Sequence, residues 1–290
     1  MKGICKLTSE ETELKNSHIY PKFVIQWMKS TGSKYLRGYT TPNKRDQDGL
    51  KKYLLSEKAE QIFSKREKWF AENIFHVYLN NSFAQMPYNE NLFYFAISML
   101  WRILVLELEQ PNIENFTFYN TMRDAEKQWR EFLLNGIFPL DYNNAHLILT
   151  DKVIDHTMPS HSVDYYMTRI LDGTTVFSEE KKSCSMYVKF SRFIFWSFLT
   201  GGDEEKMINT KINPIGGTIG IPQRPESFQF MTFIPHRIKL TDEMELASER
   251  QQEKILNEIK ENKGHYDNSE SIESMDFDNK MKEKNKNHRW

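Results

Sequence analysis

The sequence predicts an α+β protein: a turn-rich N-terminal module, a helical middle, and a C-terminal antiparallel, β-rich region with a terminal helix. Three observations carry that prediction. Apolar residues recur at helical spacing from Glu60 to Leu79 (Ile62, Phe63, Trp69, Phe70, Ile74, Phe75, Tyr78) and dominate residues 92–109. After Pro139 the chain becomes a series of short segments rich in Ile, Val, Phe, Tyr and Thr, separated by Asp172-Gly173 or charged tips, as strands and hairpins are. Ahead of both, two short corners, Cys5-Lys6-Leu7-Thr8 and Ser56-Glu57-Lys58-Ala59, bracket His18. With 290 residues, including 20 Phe, 13 Tyr and 6 Trp, the chain can bury a core without help from disulfides or metals.

Taken in order, residues 4–8 and 12–16 read as a short hairpin. Pro21 suits the first turn of a helix that Phe23, Val24, Trp27 and Met28 continue up to Gly32. Tyr35 to Gly49 is polar, contains Pro42, Asn43 and Gly49, and reads as a loop; Leu50 to Leu55 reads as a strand entering the second corner. A long amphipathic helix follows from Glu60. Residues 92–109 are the most apolar run, but Arg102 sits in the middle and acids at the end, and a membrane span needs roughly twenty apolar residues. The run is therefore expected to be a central buried helix, and no membrane partner is expected. A third helix fits Thr121 to Leu134, with Glu126, Lys127, Arg130 and Glu131 on the wet side and Gly136 placed to end it.

Strands are expected at Ala145–Thr150, Asp164–Leu171, Thr174–Phe177, Ser185–Phe190 and Phe193–Thr200. The glycines of Asn213-Pro214-Ile215-Gly216-Gly217-Thr218-Ile219-Gly220 lack the lysine and hydroxyl of a phosphate-binding loop, so turn geometry before a final strand is the expectation. Thr241, with Asp242, Glu243 and Glu245 after it, should cap a helix running to Lys263. Past Gly264, Asp267–Asp278 holds five acids and no base and Lys280–Trp290 five bases and one acid; such a segment is expected to be disordered. The resulting division is a module over 1–80, an α+β body over 81–240, a helix over 241–263 and a charged tail over 264–290.

Net charge is −1, but residues 1–75 carry 15 Lys and Arg against 9 Asp and Glu, a basic module compatible with nucleic acid or with a solvated surface. Cys5 and Cys184 lie far apart, which excludes a disulfide framework and points to a reducing, cytoplasmic setting. The N-terminus, Met1-Lys2-Gly3-Ile4-Cys5-Lys6, lacks the apolar core of a signal peptide.

A histidine at a strand end, followed by a proline and a helix, suits a general base that takes a proton from water while a divalent ion stabilises the developing phosphorane charge. Cys5-Lys6-Leu7-Thr8, then Ser17-His18-Ile19-Tyr20-Pro21-Lys22-Phe23, then Leu54-Leu55-Ser56 through Ala59-Glu60 ahead of a helix, together resemble the HNH endonuclease superfamily, the ββα-metal or treble-clef nucleases. They are more closely similar to a bacterial group that reads C-x-L-C, S-H-I-I-P-K-F and L-L-C-x-x-C-E there. The resemblance covers residues 1–80, with Asp48-Gly49-Leu50-Lys51 and Tyr53-Leu54-Leu55 adding to it.

The resemblance implies a degenerate treble-clef module. Cys5 matches the first zinc ligand, whereas Thr8, Ser56 and Ala59 stand where cysteines would be, so a structural zinc is not expected. His18 matches the nuclease histidine. Ser17 replaces the acid that often precedes it, and Glu60 stands at the start of the following helix, where it could hold a cation with help from Asp48 or Glu67. The implied catalytic pair is His18 and Glu60, and the implied ion is Mg²⁺ or Mn²⁺ on His18, Glu60 and Asp48. Lys22, Lys51, Lys52, Lys65 and Arg66, with Lys58 and Lys68 nearby, are the candidate phosphate contacts, although a helix's wet face has the same spacing.

Other candidates are weaker. Asp155-His156 and His161 share a loop; His146 and His236 are isolated and expected at strand or loop edges; Cys184 fits a buried small residue. Two functional readings follow. One is a nucleic-acid-associated protein of HNH ancestry, in bacterial defence or mobile-element biology, that cleaves DNA or RNA with a divalent metal. The other is a catalytically inactive structural or protein-interaction module.

Overall fold

The structure, a computed structural model, describes residues 1–38, 41–152, 162–244, 247–267 and 269–287. It divides the chain into two units that interleave in sequence, so the units do not follow the consecutive division that composition suggests. Met1–Ile19, Lys51–Asp151 and Leu171–Met231 form the first; Tyr20–Leu50, Lys152–Ile170 and Thr232–Trp290 form the second.

In the first unit the apolar run is a helix, Glu90–Glu107, buried without a break from Leu92 to Val105. Asn89 starts it by accepting the Asn91 N–H. On it lies a four-stranded antiparallel sheet in the order Ala145–Leu149, Phe193–Thr200, Ser183–Phe190, Asp172–Ser178. The strand Ser183–Phe190 is buried along its whole length, so that even its alternating polar residues Ser183, Ser185 and Lys189 are out of solvent. A second helix, Glu57–Phe70, runs on through a π turn at Ala71–Phe75 into His76–Asn80. Phe70 stacks on Phe95 at 4.1 Å and meets Phe193 edge-on at 5.5 Å, so these rings join helices to sheet. The helix Tyr119–Asn135 ends at Gly136, whose φ of +72° is the left-handed conformation a glycine cap supplies.

A smaller antiparallel sheet at the N-terminus orders Lys2–Ile4, Glu11–His18 and Lys51–Ser56. The glycine-rich segment expected to be a turn before a final strand is instead itself a strand, Gly216–Ile219, paired with Met86–Asn89. A side chain at Gly216, where φ is +137°, would come within 2.8 Å of the Tyr88 carbonyl; the glycine permits this close approach. Asp172 and Gly173 lie inside a strand rather than at a turn.

In the second unit, Pro21 precedes the helix Lys22–Ser30 as expected. Four expectations are corrected. Tyr35–Gly49 is not wholly a loop, because Leu36–Gly38 and Thr41–Asp46 pair as a hairpin. Asp164–Leu171 is not a strand: Val163–Arg169 is helical, and Asp278, far away in sequence, accepts the Asp164 and Tyr165 N–H groups at 2.9 Å each, a cap that local propensity does not encode. Thr241 does not begin a helix; it lies near the end of Phe228–Asp242, its hydroxyl donating to the Arg237 carbonyl, and the next helix is Glu249–Glu261. The tail is not disordered over its described part, which forms the helices Lys263–Tyr266 and Glu270–Asn287. Buried Tyr266, Ser274 and Asp278 anchor it, and Ser271 N–H donates to the Thr31 carbonyl. Arg169, also buried, donates to Thr31 Oγ1 at 2.9 Å and to the Met28 carbonyl at 2.5 Å.

Candidate functional site

The first corner leaves the strand Lys2–Ile4 at Cys5, whose N–H donates to the Glu10 carbonyl at 2.9 Å while Ser9 N–H returns to the Cys5 carbonyl at 2.8 Å. Lys6 N–H donates to the Leu54 carbonyl at 3.0 Å and ties this turn to the strand entering the second corner. There Ser56 caps the helix Glu57–Phe70, its Oγ accepting the Ala59 N–H at 3.2 Å.

The two corners meet at one sulfur. Cys5 is fully buried and its Sγ accepts the Ser56 N–H at 3.3 Å. Thr8, three residues further on in the same turn, is the sulfur's other polar neighbour. Burial pushes the thiol up, but the donors of Thr8 and Ser56 outweigh it and leave Cys5 below the ordinary thiol range. Ala59 is fully buried in the first turn of the helix. Cys5, Thr8, Ser56 and Ala59 are thus neighbours, and hydrogen bonds occupy the corner.

His18 is the last residue of the strand Glu11–His18, half-buried, and its Cα partner across the ladder is Lys51. The corner lies at the opposite end, where Leu14 faces Ser56. Four positions at about 3.3 Å each put it roughly 13 Å from His18 along the strand. Glu60 belongs to the first helical turn, beside the corner. The acid that reaches the His18 end is Glu67, two turns further along the same helix face. Arg102 Nη2 binds Glu67 Oε1 at 2.5 Å, and Arg102 Nη1 lies 3.4 Å from the carbonyl of Ile19, the residue after His18. The guanidinium is buried and sits 4.7 Å from the centre of the Phe63 ring.

Asp48 and Lys22 belong to the second unit, so the anticipated set of His18, Glu60 and Asp48 is divided between the units. Asp48 is exposed and donates its N–H to Asp46 Oδ1 at 2.9 Å. Among the described residues, no group of three or more His, Cys, Asp or Glu side chains is gathered to hold a metal.

Of the candidate phosphate contacts, Lys52, Lys58, Lys65 and Lys68 are exposed. At 100° per residue Lys58, Lys65 and Lys68 fall within about 80° of one another around the helix, with exposed Tyr53 on the strand before it. Arg66 instead lies over the Tyr94 ring at 4.5 Å. The basic surplus is shared between the units: residues 20–50 carry six Lys and Arg against two Asp and Glu, and residues 51–75 six against four.

Asp155, His156 and His161 lie outside the described residues. His236 is exposed on the helix Phe228–Asp242, and Cys184 is buried in a strand, its thiol pushed up to about 12 by burial. His146 sits inside a strand, almost fully buried, next to Thr210, Glu204 and Lys211, which come from a stretch more than fifty residues later. Its spacing gave no signal, because all these partners are distant in sequence. Among the described residues no helix is long and apolar enough to cross a membrane. Comparison with models of protein families, with curated proteins and with solved structures finds no match to this chain.

Proposed function

We propose that the chain is a nucleic-acid-associated protein of HNH ancestry, in which the strand Lys51–Ser56 and the helix Glu57–Phe70 meet a phosphate backbone. The observation that carries this reading is the meeting of Cys5, Thr8, Ser56 and Ala59 at the head of that helix, the four positions where the resemblance puts zinc ligands. The exposed row of Lys58, Lys65 and Lys68, with Lys52 and Tyr53 ahead of it, supplies the charge and a ring for stacking. Cleavage, in this reading, uses His18 as base and Mg²⁺ or Mn²⁺.

A second reading, a non-catalytic platform for protein partners, is favoured by one observation: Glu67, the acid at the His18 end, is already paired with Arg102. The two readings separate in a single set of measurements. Fluorescence anisotropy of the full chain with labelled DNA and RNA should give binding that weakens as salt rises, and Lys52→Glu/Lys58→Glu/Lys65→Glu should lose it. Plasmid cleavage with Mg²⁺ or Mn²⁺ should disappear in His18→Ala. Binding without cleavage removes the nuclease version, and no binding at low salt removes the nucleic-acid reading.

A further inference from the structure

The strand Lys51–Ser56 breaks its own alternation. Its ladder pairs Tyr53 with Asn16 and Leu55 with Lys15, so Leu54 is an extra residue, and Lys6 N–H donates to the Leu54 carbonyl at 3.0 Å. Such a bulge bends the strand and redirects its side chains. Leu54 and Leu55 are both buried as a result, whereas Tyr53 is 51 % exposed.

Asn16 and His18 on one strand, with Tyr53 and Lys51 opposite them on the other, share one face of the sheet by the two-residue period. Ser17, between Asn16 and His18, is buried, so the other face is the packed one at this end. Asn16 is exposed, and His18 and Lys51 are half-buried. The same period puts Glu11 and Glu13, the only acids of the three strands, on the side away from Tyr53. This end of the face therefore presents a phenol ring, an amide, an imidazole and an ammonium, with no carboxylate from the sheet itself. Lys51 and Tyr53 stand about 7 Å apart along the strand. In a duplex the base faces are stacked on one another and the outside presents phosphates, so the ring would have nothing to stack on. In a single strand an unpaired base can lie on Tyr53 while Lys51 meets the adjoining phosphate, and Asn16, across from the ring, has a donor and an acceptor for the base edge.

We propose that this face seats an unpaired nucleotide, its base on Tyr53 and its phosphate at Lys51, so that the partner is single-stranded DNA or RNA rather than duplex. The inference rests on the nucleic-acid reading given above and narrows it to a substrate class.

The test is fluorescence anisotropy of the full chain at low salt with labelled oligothymidylate, oligouridylate and a DNA duplex of the same length, repeated with Tyr53→Ala, Tyr53→Trp and Lys51→Gln. Tyr53 is exposed, so its two substitutions should leave the melting temperature unchanged. A single strand should bind more tightly than the duplex. Tyr53→Ala should weaken single-strand binding roughly tenfold or more, while Tyr53→Trp, which keeps a ring, retains it. Lys51→Gln should reduce the salt dependence by about one phosphate contact. Binding of only one of the two single strands supports the proposal and assigns the sugar. Duplex bound as tightly as both single strands, or a folded Tyr53→Ala that binds them as the parent does, would overturn the proposal and leave the nucleic-acid reading standing; no binding of any probe would remove both.

Discussion

The two ends of one ladder, the Leu14–Ser56 end and the His18–Lys51 end, handle polar groups in opposite ways. At the first, a buried sulfur is surrounded by neutral donors, the Ser56 N–H and the Thr8 groups, and no ion is needed to satisfy it. At the second, a buried guanidinium is matched by Glu67, an ion pair with 3 % and 21 % of the two side chains exposed. A corner can therefore hold its geometry around a buried sulfur without a charged partner, because the donors that favour a thiolate include backbone groups the fold supplies anyway. A buried charge, by contrast, holds its partner in place and removes that partner from other chemistry.

The greatest loss should come from breaking the charged end. Arg102→Met leaves Glu67 without its cation and is expected to cost about 3 kcal/mol in denaturant unfolding, with Arg102→Met/Glu67→Met recovering most of that loss. Equal losses in single and double variants would mean that packing against Phe63, rather than charge, sets the cost. At the neutral end, Ser56→Ala removes the helix cap and should cost about 1 kcal/mol. The carboxylate of Asp203 gives a third case, a charge held by neutral donors and a cation together. Burial pushes it up, but Phe228 N–H, the Ser227 hydroxyl and Lys206 hold it near 2. A carboxyl depressed on folding stabilises above its unfolded value and loses that contribution as pH falls through the folded one. Asp203→Asn should therefore flatten the stability curve between about pH 4 and pH 2 and leave the curve's alkaline side unchanged.

Periodicity made the helices of the first unit legible, because the buried stripe of Phe63, Phe70, Ile74 and Phe75 and the continuous run from Leu92 to Val105 are properties of neighbouring residues. The three strands between residues 172 and 200 were legible for the same reason, whereas the short strands Met207–Ile208, Gly216–Ile219 and Arg224–Pro225 were not. What was not legible depends on distant partners. Val163–Arg169 carries strand-favouring residues but is helical under a cap from Asp278. The acidic run that contains Asp278 looks unable to order itself until that buried role is known. The corner could be read as a set of four positions, whereas the Glu67–Arg102 pair and the neighbours of His146 could not, since each joins segments tens of residues apart.

Whether the corner retains the arrangement of a four-ligand site is decided by zinc analysis of the Thr8→Cys/Ser56→Cys/Ala59→Cys variant. One zinc per chain beyond the parent protein's content is expected, with a melting temperature that rises with zinc and falls with chelator. A folded variant that takes up no additional zinc would show that the four positions are neighbours without forming a ligand cage.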